Sequence, residues 1–120
     1  MLRMTERPNG DVMILDLHGT ISPGQDADLG DKVRRILYRG HRKLVLNLAN
    51  ATSSNATGVS ALLTTLLTAR DCNAELRLVN VTRRMTDLLI IVALYRYFDV
   101  CDSEQEAIES FHVAEAVCAA

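Results

Sequence analysis

The chain has no tryptophan, two phenylalanines, two prolines, three cysteines and, from Leu44 to Ala69, no charged side chain. Each scarcity removes a class of function. Cys72, Cys101 and Cys118 are odd in number and far apart, which argues against a disulfide framework or a zinc site and for reduced thiols in a cytoplasm. Aromatic poverty leaves the one basic cluster (Lys32, Arg34, Arg35, Arg39, Arg42, Lys43) without a stacking platform, which argues against binding of single-stranded nucleic acid. The plain reading of that cluster is the solvated side of a helix and its following loop; docking of an acidic partner protein is the alternative. Arg3, Glu6, Arg7, Asn9 and Asp11 leave no apolar core for a secretory signal, so none is expected.

What remains is an ordinary globular composition, 48% hydrophobic and 23% charged with a formal net charge of −2. At 120 residues a single domain with its own core is expected over 1–120. The charge-free stretch is too broken for a membrane span, because Asn47, Asn50, Thr52, Ser53, Ser54, Asn55 and Thr57 interrupt it. Its first part, Leu44–Leu48, reads as a buried strand. Val59, Leu62, Leu63, Leu66 and Leu67 recur at helical spacing and are expected to form the buried face of a helix over Thr57–Arg70. A second stripe on that helix, Thr57, Ser60, Ala61, Thr64 and Thr68, is small and neutral. Solvated helix faces usually carry Lys and Glu, so this one suits a protein contact, against the plain reading of polar residues that merely face solvent or pack under a loop.

The rest of the chain alternates. Strands are expected at Val12–Leu17, Leu76–Val79 and Phe98–Val100, and helices from Asp26 to Arg39 (stopped by Gly40), from a Thr82 cap to Leu94, and after Asp102. Residues 1–9 hold an edge strand or a loose start, and 113–120 a tail or an extension of the last helix. This order implies an α/β fold, a central mixed sheet of four to five strands with about four helices. Leu88–Leu94 is apolar for seven residues, which means either a deeper core or an exposed patch for self-association at Ile90, Ile91 and Val92. No nucleotide-binding glycine loop, nucleophile motif or paired-carboxylate motif is present, and His18, His41 and His112 are scattered, so no enzyme, metal or cofactor is expected.

Leu46-Asn47-Leu48-Ala49-Asn50-Ala51-Thr52-Ser53-Ser54-Asn55-Ala56-Thr57-Gly58, followed by Val59-Ser60-Ala61-Leu62-Leu63, resembles without a gap the strand, loop and Leu-rich helix of the STAS domain family, found in anti-sigma factor antagonists and sulfate transporters. Leu15-Asp16-Leu17-His18-Gly19-Thr20, Leu76-Arg77-Leu78-Val79-Asn80 and Leu94–Val100 with Asp102–Ala107 extend the likeness over about residues 10–112. The resemblance implies a bacterial, cytoplasmic, non-catalytic regulator of transcription. Such a regulator binds a kinase-type anti-sigma factor through the loop entering the second helix and is released by phosphorylation of a Ser or Thr after an Asp. Here the Asp position is Asn55 and the acceptor position is Ala56, which has no hydroxyl. Thr57 is the nearest substitute, then Ser54 and Ser53; loss of the switch is favoured. The implied partner surface is Asn55, Ala56, Thr57, Gly58, Ser60, Ala61 and Thr64. A structural accessory subunit of an ABC-type lipid transporter or signalling scaffold is the alternative, and a homodimer is a second partner expectation beside the anti-sigma factor. A third reading is a small anion or nucleotide at the entrance of the second helix.

Overall fold

The computed structural model describes residues 3–21, 26–52, 56–91 and 99–119, and the side chains of 3–21, 29–51, 62–90 and 100–111. A five-stranded mixed sheet runs in the order β1 (Arg3–Asn9), β2 (Val12–Thr20), β3 (Lys43–Thr52), β4 (Glu75–Val79), β5 (Asp99–Cys101). Four helices accompany it among the described residues: α1 (Asp26–Tyr38), α2 (Ala56–Asp71), α3 (Arg83–Ile91) and α4 (Glu104–Ala119). Strands β1 and β2 form an antiparallel hairpin; every later pair is parallel. The hairpin turns on Gly10 and Asp11, and Gly10 takes a φ of 62° that other residues adopt only with strain.

Because each strand is added on the same side of the last, crossovers of one hand place their helices on one face. Accordingly α1, α2 and α3 share a core with Met13, Leu15, Leu17, Leu44, Leu46, Leu48, Leu76 and Leu78. The other face receives α4, whose Ala107 and Phe111 pack on Val12, Ile14, Val45 and Val79. Strand β2 is therefore buried from Val12 to Leu17 on both faces, which explains why that stretch is apolar but for Asp16.

The helix ends follow their local chemistry. Thr82 caps α3, its Oγ1 accepting from the Met85 N–H at 3.2 Å, as its place before the apolar run predicts. Ser103 does the same for α4 through the Glu106 N–H at 3.2 Å, while the Glu106 carboxylate accepts from the Asp102 N–H. Helix α2 ends on Asn73 at φ 57°, with Ala74 N–H reaching Ala69 O at 2.8 Å and Asn73 N–H reaching Arg70 O at 3.0 Å. Strand β3 runs four residues past the expected Leu48. The extra length carries a bulge, since the register steps from Asp16–Asn47 to His18–Asn50 and leaves one residue more on β3 than on β2. Of the expected third helix, the part beyond Ile91 lies outside the described residues, as does Phe98.

Candidate functional site

Strand β3 and helix α2 deliver the loop that the sequence singles out. The strand stops at Thr52 and the helix starts at Ala56, so Ala56, Thr57 and Gly58 stand in its first turn, with Ser60 and Ala61 one turn on. Ser53, Ser54 and Asn55 lie outside the described residues, and the side chains of 56–61 are not described. Further along the helix the two faces are resolved. Leu62, Thr65, Leu66 and Ala69 are buried against the sheet. Thr64 is exposed, and Thr68 is half-buried with its hydroxyl donating to Thr64 O at 2.9 Å. Leu67, expected inside, points outward at 50% exposure, and Leu63 is half-buried. The buried stripe thus centres on Thr65, fully enclosed, and the outer face of α2 combines Thr64 with an exposed leucine. Charge enters the helix only at Arg70 and Asp71.

On α3, Leu89 is buried, Leu88 half-buried and Ile90 58% exposed. Of the residues expected to form an apolar patch, Ile90 is therefore at the surface. The Ile91 side chain and Val92 are outside the described residues.

The sequence reading missed a polar hub beneath α4. Asp16 sits on β2 two positions after Ile14, on the α4 face of the sheet, and is almost fully buried. Its carboxylate takes two hydrogen bonds from the Arg7 guanidinium, one of them at 2.9 Å, and a third from Asn47 Nδ2 at 2.8 Å. Arg7 also bonds Glu104 in the first turn of α4, and Asn47 Nδ2 lies 3.3 Å from the same carboxylate. Asn47 Oδ1 accepts from Asn80 Nδ2 at 3.0 Å and from the Ala49 N–H at 3.1 Å, which pins the bulge that leads β3 toward the α2 entrance. The hydrogen bonds from Arg7, joined by that from Asn47, hold the Asp16 carboxyl below the usual range despite its burial. The bonds to Asp16 and Glu104 raise the Arg7 guanidinium in turn. The signal was available: period-two alternation puts Asp16 inward from an apolar strand, and a buried carboxylate requires a partner.

The basic cluster is partly neutralised. Burial pushes the Glu6 carboxyl up, but hydrogen bonds and charge from Arg39 and Lys32 outweigh this and leave it below its usual range. Arg34 pairs with Asp31 at 2.8 Å, and Lys43 with Asp11. Arg42 donates to Leu37 O at 2.8 Å and His41 O at 2.9 Å. Among the described residues no group of three or more His, Cys, Asp or Glu side chains could hold a metal, and no helix is long and apolar enough to cross a membrane.

Several solved structures share this fold. The anti-sigma factor antagonist SpoIIAA, a Bacillus cell-fate determinant, matches in its unphosphorylated form with a TM-score of 0.71 and 13% identity, over 93% of this chain and 96% of its own. An anti-sigma factor antagonist from Mycobacterium paratuberculosis matches with a TM-score of 0.76 and 13% identity, over 92% and 93% of the two chains. A putative anti-sigma factor antagonist from Thermotoga maritima gives 0.75 and 20%, over 89% and 92%. No curated protein sequence matches. The model of the STAS domain matches residues 3–107, which span the whole sheet, helices α1 to α3 and the first turn of α4, and the chain therefore belongs to the STAS domain family.

Proposed function

We propose that residues 1–120 act as one non-catalytic STAS domain that regulates transcription by binding a protein partner, a kinase-type anti-sigma factor, in the cytoplasm of a bacterium. The outer face of α2 carries this reading. Among its described residues, Thr64 and Leu67 are exposed, and no charged side chain occurs in the helix before Arg70. An exposed leucine flanked by small hydroxyls suits burial against a partner without desolvating a charge. The contact extends over Asn55, Ala56, Thr57, Gly58, Ser60 and Ala61 at the helix entrance. Ala56 stands at the acceptor position that the family resemblance marks, and it offers no oxygen to phosphorylate, so binding here is constitutive.

The test is capture from a bacterial lysate on wild-type protein, Leu67→Glu and Thr64→Arg, with mass-spectrometric identification and ATP added to the eluted complex. A kinase-type anti-sigma factor retained by wild type, lost from both variants and leaving the chain unphosphorylated is the expected result. The same partner on all three proteins refutes the α2 surface. Stoichiometric phosphate on Thr57, Ser54 or Ser53 refutes constitutive binding.

Exposed Ile90 favours a second reading, an accessory subunit of an ABC-type lipid transporter or of a signalling scaffold. Transporter genes beside this one would support it, and a kinase or sigma factor gene would oppose it.

A further inference from the structure

A groove runs between edge strand β1 and the C-terminal half of α1. It holds about 390 Å³ and is lined by Glu6, Lys32, Arg35, Tyr38 and Arg39. A second groove of about 380 Å³, lined by Asp31, Arg34, Arg35 and Tyr38, adjoins it through the shared Arg35 and Tyr38. Four cations therefore face two carboxylates. Glu6 serves Lys32 and Arg39, and Asp31 serves Arg34. Arg35, common to both grooves, donates at 3.4 Å to the Asp31 carbonyl and meets no carboxylate among the described residues. The negative end of the α1 dipole is equivalent to about half a charge and does not cancel this excess. Tyr38, 80% exposed, rises beside it. A large amphipathic ring next to unneutralised guanidinium is the composition of a contact surface and is wasteful on a merely solvated helix.

The chain also presents the complement. Asp102, Glu106 and Glu109 are exposed at the start of α4. Glu106 accepts from the Asp102 N–H and Glu109 from Gln105 Nε2, and among the described residues none of the three meets a cation. Helix α4 covers the opposite face of the sheet from α1, so the two surfaces cannot meet within one molecule.

We propose that the basic groove of α1 docks the acidic first turns of α4 of a second copy of this chain. Because the two patches differ, the contact is heterologous and propagates head to tail. It leaves the outer face of α2 free and is independent of what binds there.

Sedimentation velocity of the full chain at low and high salt tests the contact. At about 20 mM salt the weight-average mass should rise with concentration. At about 1 M, where the screening length falls to roughly 3 Å, it should return to monomer. Arg34→Glu with Arg35→Glu, and separately Glu106→Lys with Glu109→Lys, should each weaken self-association on the order of tenfold. An equimolar mixture of the two charge-reversed proteins should associate again. Thermal melts of both variants confirm folding. Three results overturn the proposal: a wild-type monomer at every salt and concentration, an oligomer indifferent to both reversals, or a monomer that binds a poly-glutamate peptide through Arg35, which would assign the groove to a foreign acidic partner.

Discussion

Removing the Asp16 carboxylate tests the polar hub beneath α4. In Asp16→Ala, Asn47 Nδ2 loses the acceptor at 2.8 Å in a part-buried setting and keeps only the longer contact to Glu104 at 3.3 Å; a donor so weakened costs about 1–3 kcal/mol. The two bonds from Arg7 add less, about 0–1 kcal/mol, because the Arg7 side chain is 45% exposed and water replaces part of what is lost. The sum is about 1–4 kcal/mol, and the middle of that range is a fall in melting temperature of roughly 10 °C for a domain of this size. Urea unfolding should show a lower midpoint with an unchanged slope. The isosteric Asp16→Asn keeps an oxygen for Asn47 and should cost less. Its pH profile separates charge from shape. The folded carboxyl lies below its unfolded value, so the unfolded chain binds more protons and stability rises with pH. The Asp16 contribution is complete above about pH 4, the unfolded value, and disappears as pH falls through the lower folded one. Asp16→Asn should flatten that acid limb, leaving the share of Glu6, which is lowered in the same sense. A loss below about 0.5 kcal/mol in Asp16→Ala, or an acid limb unchanged in Asp16→Asn, would refute the reasoning.

Two further predictions separate core from surface. Phe111 is fully buried on the α4 face beneath the Arg77 guanidinium, 4.5 Å from the ring centroid, so Phe111→Ala should cost about 3–5 kcal/mol in chemical unfolding and loosen α4 from the sheet. On α2, Leu62→Ala should destabilise by about 2–5 kcal/mol, whereas Leu67→Glu should change stability by no more than about 0.5 kcal/mol. Equal losses at the two positions would show that Leu67 belongs to the core.

The two stripes of α2 show where sequence reading stops. The doublets Leu62-Leu63 and Leu66-Leu67 offer two apolar stripes one residue apart, and helical periodicity accepts either. Docking on the sheet chose Leu62, Leu66 and Ala69, enclosed Thr65 between them and turned Leu67 outward. Threonine looks polar in a pattern, yet it is small enough to fill that position. The same limit applies to the bulge in β3, where Leu48 looks like the end of an apolar run. Residues Ala49–Thr52 stay in the strand because β2 offers Asn50, Ala51 and Thr52 partners at His18, Gly19 and Thr20.

The order of elements, the Gly40 stop, the Thr82 cap and the uncharged character of residues 44–69 were determined by the sequence alone, because each rests on local propensity, capping chemistry or composition. Family membership was legible for a related reason: the loop pattern from Leu46 to Gly58 and the spacing of its neighbours survive in one dimension. Which leucines of α2 face outward, and which charges meet, was decided only by the tertiary structure. Arg7, Asp16 and Glu104 stand on three elements, and Arg7 and Glu104 are 97 positions apart. No periodicity joins them; the sheet register and the placing of α4 across it do.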